Sequence, residues 1–309
     1  MRFILLLPAA LALLLVSACS EAQTDNTAGH AATATTTATT ATTATAVKGG
    51  DRHKDKKAAA AIPGLRRVGS LKGVVPESSG LAPATAGQSY YSFGDDGNSP
   101  TLYEVSGTGK LIRTVEINAP NTDWESLSRD PQGNYYIGNC GNNENLRRDL
   151  AIYRVRPESP QQVGKISFTY PDQTEFPPQK KDRNFDVEAS LWHDGQVWLF
   201  TKDRGRQATS KVYTVPDQPG SYTAKLMTSL AIPGEVTDAA LRADGHRLVL
   251  LGRGELFILD GNSWADILKA TPRRIDLSGA GQTEGAVFKN DKTLLISTEK
   301  GDLYEYQLP

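Results

Sequence analysis

A short sequence unit recurs five times between residues 62 and 309, and this repetition constrains the fold more than any other feature. Each complete copy contains an acidic residue, small residues, an aliphatic residue, a turn rich in Asp or Gly, and then two strands, the first of them very apolar. The copies begin at a degenerate SGL (79–81), WESL (124–127), VEASL (187–191), TDAAL (237–241) and TEGAV (283–287). Counted from Ser79 through the acidic residue of each later copy (125, 188, 238 and 284), the spacings are 46, 63, 50 and 46 residues, close to the roughly 40–50 residues of a four-stranded propeller blade.

The chain between these units is a series of apolar runs of four to eight residues, each bounded by Gly, Pro, Asn or Asp. Only residues 264–268 suggest a turn of helix. We therefore predict an all-β domain over residues 62–309, a five-bladed β-propeller. The last copy lacks a fourth strand, and residues 65–71 are the natural supplier, which would close the ring and remove its exposed edges. A six-bladed ring with one diverged blade is the alternative.

The first 18 residues are typical of a signal peptide. Arg2 precedes an apolar run of 14 residues, shorter than the roughly 20 that span a bilayer as a helix. Residues 16–19 resemble a bacterial lipobox, in which Cys19 becomes the lipidated N-terminus; an ordinary cleavage site is the alternative. Ser20 then favours sorting to the outer membrane. We expect a lipoprotein of a Gram-negative cell envelope, held to the membrane by its lipid anchor.

Residues 19–61 predict a disordered tether. An Ala/Thr tract at 31–46 offers no large apolar side chain, and a charged, mainly basic piece follows at 48–57. Cys140 is the only other cysteine, so a disulfide framework is excluded. The balance of 34 basic and 35 acidic residues gives no case for a nucleic-acid partner. We expect a monomer.

Acidic residues open the first strand of most units, and the first strand of a propeller blade lines the central channel. Residues i and i+2 of a strand share a face, so Asp123 should lie with Glu125, and Asp186 with Glu188. The second strands end in polar residues at the same mouth of the channel. The candidate metal ligands are Glu125, Glu188, Asp238 and Glu284. The other candidate residues at the mouth are Glu77, Asp95, Asp96, Asp123, Asn142, Asp186, Asp203 and Arg253.

Carboxylates gathered in a narrow space repel one another and lose solvation. A bound Ca²⁺ or Mg²⁺, the basic residues at the ends of the second strands, or water in the channel would relieve this. Alternatively, each acid binds backbone amides of the neighbouring blade and has only a packing role. The sequence shows no nucleophile elbow, no histidine spacing for metal binding, and no phosphate-binding glycine loop.

Several motifs resemble known envelope proteins. Residues 77–81, 94–98 and 123–127 resemble the SdiA-regulated family of envelope propellers. Residues 136–143 and 184–189 resemble uncharacterised secreted propellers of Gram-negative bacteria. These resemblances imply an envelope propeller and bring little function. More distantly, the acid-lined channel is similar to that of gluconolactonase-type propellers, which hold a divalent cation.

Two functions remain open at this stage. The first is a module that binds a small ligand or an envelope protein at the polar mouth, with a structural Ca²⁺ or Mg²⁺. The second is a metal-dependent hydrolase of lactones or phosphoesters, in which the cation activates water.

Overall fold

The computed structural model describes residues 62–84 and 88–309. The predicted signal peptide, Cys19 and the tether lie outside the described residues. Within the described residues, no helix is long and apolar enough to span a membrane.

Five antiparallel sheets form the five predicted blades. The first strand of the described residues is β1 (Leu65–Ser70). Blade 1 contains β2 (Ala82–Pro83), β3 (Ser89–Ser92), β4 (Thr101–Ser106) and β5 (Leu111–Glu116). Blade 2 contains β6 (Trp124–Arg129), β7 (Tyr135–Asn139), β8 (Ala151–Val155) and β9 (Gly164–Thr169). Blade 3 contains β10 (Asp186–His193), β11 (Gln196–Lys202), β12 (Ser210–Pro216) and β14 (Lys225–Leu230), with β13 (Gly220–Thr223) between the last two in sequence.

Blade 4 contains β15 (Val236–Leu241), β16 (Arg247–Gly252), β17 (Glu255–Asp260) and β18 (Arg273–Asp276). Blade 5 contains β19 (Thr283–Asn290), β20 (Thr293–Thr298) and β21 (Asp302–Gln307), and β1 completes it. Within residues 62–84 and 88–309, the helical segments are the single turn α1 (Trp264–Ile267), where the sequence predicts one, and the 3₁₀ turns Lys180–Asp182 and Ser278–Ala280. The inner strands contact one another in the order β2, β6, β10, β15, β19 and back to β2. The five-bladed propeller is confirmed, with no sixth sheet in the described residues.

The ring closes through β1, as the sequence predicts. This strand runs antiparallel to β21, with Leu65 opposite Tyr306 and Ser70 opposite Asp302. It covers the outer edge that β21 would otherwise expose. Since Leu65, Tyr306, Leu294 and Phe288 lie in one row across blade 5, the propeller chain begins at the end of the channel where the inner strands finish.

Blades 2 and 3 are joined by a strand exchange that the repeat pattern does not indicate. Strand β13 leaves blade 3 and pairs in parallel with β9, so blade 2 has five strands. Tyr222 lies opposite Phe168 in this pairing. A strand from the blade 3 part of the chain is therefore hydrogen-bonded to the outer edge of blade 2, in addition to the side-chain packing between the two blades.

Apolar side chains fill the spaces between neighbouring blades. The cluster between blades 2 and 3 includes Phe168, Val187, Leu199 and Tyr213, all buried. This arrangement follows from strand alternation, because each blade buries both faces and its strands read as apolar runs. The two ends of the channel are the two candidate sites of this fold.

Candidate functional site

A β-bulge places three of the acidic side chains at the mouth of the channel. The pairing of β6 with β7 skips Glu125, that of β10 with β11 skips Glu188, and that of β19 with β20 skips Glu284. A bulged residue has no partner in the ladder and turns its side chain away from the regular alternation. The repeated bulge is therefore what directs these carboxylates to one place.

These side chains line a cavity of about 210 Å³ to which all five blades contribute. We call it the acidic mouth. Its lining comprises Glu77, Ser78, Ser79, Asp95, Glu125, Asn143, Glu188, Lys202, Arg204, Arg253, Gln282, Glu284 and Glu299. Six carboxylates face three basic side chains, and no aromatic or aliphatic residue is present. The volume is below the roughly 300–1,000 Å³ of sites for drug-sized ligands, so the acidic mouth suits a small, polar occupant.

One half of the acidic mouth is neutralised from within. The Lys202 ammonium lies 3.0 Å from one oxygen of Glu188, and Arg204 donates to the other oxygen at 2.7 Å. The Arg204 Nε also lies 2.5 Å from Asp186, whose carboxylate accepts the backbone N–H of Asn142. Burial alone would raise the pKa of Glu188, but the charges of Lys202 and Arg204 hold it below its usual value. Burial and the adjacent charge of Glu188 raise the pKa of Asp186.

The other half carries a trio of carboxylates with little compensating charge. One oxygen from each of Asp95, Asp123 and Glu125 lies within 4.8 Å of the others. Burial raises the pKa of all three carboxyls, that of Asp123 to about 6 and that of Glu125 well above its usual value. The charge of Glu188 raises the pKa of Glu125 further. The trio therefore holds protons or requires a cation.

Two neighbours fix the position of Asp123. A Cβ at Gly141 would lie only 2.3 Å from the Asp123 Cγ, so the carboxylate rests directly against the Gly141 backbone. Arg147 lies 3.9 Å from Asp123 and is itself held by the carbonyl oxygens of Gly141 and Asn139. Arg147 therefore supplies a fixed, distant positive charge rather than a close ion pair.

Glu284 lines the acidic mouth from blade 5. It is 8% exposed and accepts a hydrogen bond of 2.7 Å from the Gln282 side chain. Burial raises the pKa of Glu284 to about 7, although Lys202 opposes this shift. Arg253 lines the same cavity, and its only ion pair in the described chain is a long one, 3.6 Å to Glu235. The Glu284 carboxyl, with a pKa near neutrality, and the Arg253 guanidinium, with only a long ion pair, therefore face the same cavity.

Asp238 lies outside this cavity, and the strand register explains why. In blade 4 the pairing skips Thr237, so Thr237 occupies the bulge position of Glu125, and the repeat alignment is shifted by one residue there. Asp238 instead accepts the backbone N–H groups of Ala239 and Ala286, at 2.8 and 2.7 Å. Its role is the packing role that the sequence left open: it ties blade 4 to blade 5.

The structure divides the remaining predicted mouth residues into two groups. Glu77, Asp95 and Arg253 line the acidic mouth, and Asp123 and Asp186 lie directly behind it. The residues that do not line it are Asp96, Asn142 and Asp203. Asp96 is exposed, whereas Asn142 and Asp203 are buried. The Asn142 side chain donates to the backbone carbonyl of Phe185. The Asp203 carboxylate accepts the backbone N–H groups of residues 205, 206, 208 and 209.

Among the basic residues of the acidic mouth, Lys202 and Arg204 were not predicted from the sequence as site residues. Both belong to the polar end of the second strand of blade 3, but the sequence treats that end only as a set of basic residues. The available signal was the antiparallel register. Asp186 pairs with Lys202, so the basic residues after the strand had to return beside the acids that open it.

No family model and no curated protein sequence matches this chain. Among solved structures, it is similar to the PQQ-bound form of an aldose sugar dehydrogenase from Streptomyces coelicolor, with 12% identity, a TM-score of 0.48, and 80% and 99% of the two chains covered. A gluconolactonase from Xanthomonas campestris gives 14% identity, a TM-score of 0.45, and coverage of 79% and 80%. A catalytically inactive virginiamycin B lyase from Staphylococcus aureus gives 13% identity and a TM-score of 0.41 over 75% of this chain, and this chain spans 66% of the length of the lyase. Identities this low describe the fold alone.

Proposed function

We propose that this chain is a ligand-binding propeller of the cell envelope whose acidic mouth holds Ca²⁺ or Mg²⁺ on Asp95, Asp123 and Glu125. The supporting observation is the uneven distribution of charge. Lys202 and Arg204 are committed to Glu188, and among the described residues no Lys or Arg forms an ion pair with Asp95 or Glu125. Hard divalent cations prefer such oxygen ligands.

The trio supplies fewer ligands than the cation takes. Ca²⁺ is bound by about six to eight oxygens and Mg²⁺ by about six, so several positions remain for water or for oxygens of a ligand. Those positions face the cavity that Glu284, Arg253 and Gln282 also line. The ligand is therefore a small, oxygen-rich molecule that completes the coordination shell. A lipid at Cys19 would present this mouth from the membrane surface.

Cation titration tests the proposal. We expect CaCl₂ or MgCl₂ to give a saturable heat with chelator-stripped protein in calorimetry, and to stabilise it by about 2.7 kcal/mol at a hundredfold excess over Kd. Glu125→Gln should abolish both effects while the metal-free protein stays folded, because Gln removes a carboxylate whose ionisation burial opposes. Asp96→Asn is the matched control, since Asp96 is exposed and outside the cavity. Absence of heat and of stabilisation at millimolar cation would contradict the proposal.

The second candidate, a metal-dependent hydrolase, is favoured by one observation. Glu284 has a pKa of about 7 and faces the same cavity, as required of a general base at neutral pH. In this reaction the cation would polarise a lactone or phosphoester oxygen while Glu284 takes a proton from water. Glu284→Gln should then abolish cation-dependent hydrolysis of a lactone or phosphoester panel and preserve cation binding. Equal turnover by the variant would exclude this role of Glu284.

A further inference from the structure

The channel has a second cavity at its opposite end. Strand β6 begins at Trp124 beside the acidic mouth and ends at Arg129, and the other inner strands run the same way. Where they end, they surround a space of about 360 Å³. We call it the apolar mouth. Its apolar lining includes Leu127, Leu191, Trp192, Leu241, Val287 and Phe288.

Two polar groups in the apolar mouth have no partner in the described chain. Ser128 lines the cavity, is 8% exposed, and its hydroxyl makes no hydrogen bond. The Nε of Arg129 is also buried and without a partner, and this guanidinium forms no ion pair in the described residues. A buried polar group without a hydrogen-bond partner destabilises the folded protein. Both groups therefore lie beside an apolar cavity and lack a hydrogen-bond acceptor.

The remaining charge of the apolar mouth is already satisfied. Asp130 is buried, and its carboxylate accepts hydrogen bonds from the backbone and side chain of Asn134 and from the Tyr136 hydroxyl. Arg129 also lies over the Tyr135 ring, 5.8 Å from its centroid, which fixes the guanidinium. The free positive charge thus belongs to Arg129, and the nearby Asp130 disfavours a head group with more than one negative charge.

We propose that the apolar mouth binds a single alkyl chain with a carboxylate head, that is, a fatty acid. The chain lies among the leucine, valine and aromatic side chains, and the carboxylate accepts from Ser128 and Arg129. Mostly apolar walls with a few convergent polar groups are the usual composition of small-molecule sites, and the volume falls within their range of roughly 300–1,000 Å³. This site is separate from the acidic mouth and does not depend on a cation there.

Calorimetry with fatty acids below their micellar concentrations tests whether the apolar mouth binds the alkyl chain. Affinity should rise about fourfold per methylene from hexanoate to dodecanoate until the cavity is filled, because each buried methylene contributes about 0.8 kcal/mol. Ala240→Phe places a ring in the cavity and should remove binding of every chain length. Absence of dodecanoate binding to the full chain, or unchanged binding by a folded Ala240→Phe variant, would overturn the proposal.

Dodecanol tests the head group. Arg129→Gln should weaken dodecanoate binding about 10- to 100-fold, the effect of one hydrogen bond to a charged group, and leave dodecanol binding unchanged. Ser128→Ala should weaken binding less, and Arg273→Gln, on the exposed edge strand of blade 4, should have no effect. A purely structural Arg129 would change both ligands equally. That result, or equal affinity of the wild-type protein for both ligands, would refute the carboxylate assignment, and cation titration at the acidic mouth should be unaffected by all four variants.

Discussion

The substitution Lys202→Met tests the ion pairing with Glu188 that neutralises one half of the acidic mouth. The side chains of Lys202 and Glu188 are only 3% and 4% exposed, so the variant leaves a buried carboxylate with one basic partner instead of two. Removing one partner of a buried pair costs about 3–5 kcal/mol, and the remaining Arg204 favours the lower end of that range. For a domain of this size, we expect Tm to fall by about 6–12 °C.

The assay is a double-mutant cycle in urea and heat denaturation, with chelator present. Lys202→Met combined with Glu188→Gln removes the unpaired charge and should recover most of the lost stability. Lys289→Met is the matched control, because Lys289 pairs with Glu305 at the surface and such pairs contribute about 0–1 kcal/mol. The reasoning is refuted if Lys202→Met melts like the control, or if the double variant is no more stable than the single one.

Three further results are expected. Burial raises the pKa of Glu284 from 4.5 to about 7, so its ionisation lowers the stability of the folded protein as the pH rises between these values. In urea denaturation with chelator present, Glu284→Gln should therefore be up to about 3 kcal/mol more stable than wild type at pH 8 and equal to it at pH 4. A difference that does not change with pH would contradict this. Gly141→Ala should displace Asp123 and weaken calorimetric Ca²⁺ binding at least tenfold, whereas Gly107→Ala, which meets no atom closer than 3.6 Å, should bind as wild type does. Deletion of residues 62–70 should expose the edge of β21 and produce aggregates in size-exclusion chromatography, and a stable monomer of wild-type Tm would contradict the closure role of β1.

The blade arrangement could be predicted because its determinants are local. The apolar strands, the turns between them and the acidic opening of each inner strand repeat along the sequence, and the missing strand of blade 5 pointed directly to residues 65–71. Glu125, Glu188 and Glu284 reach one cavity for the same reason. Each of these features depends on residues that are close in sequence or related by the repeat.

The other features depend on pairings that the repeat does not encode. Strand β13 has the short sequence GSYT, whose partner β9 belongs to another blade, so no periodicity identifies it. In blade 4 the acidic position of the repeat falls on Asp238, whereas the hydrogen-bond register places Thr237 at the bulge, and the repeat does not encode that register. The links from Lys202 and Arg204 to Glu188 likewise depend on where long side chains turn after the strand ends.

The strand exchange makes the ring mechanically uneven. The segment of chain between β12 and β14 of blade 3 is hydrogen-bonded to β9 of blade 2 and links these two blades, whereas blade 1 has an inner strand of only two residues. Asp95 belongs to blade 1, and Asp123 and Glu125 belong to blade 2. An ion bound by all three carboxylates would link blade 1 to blade 2. Cation binding at the acidic mouth should therefore slow amide hydrogen exchange in blade 1.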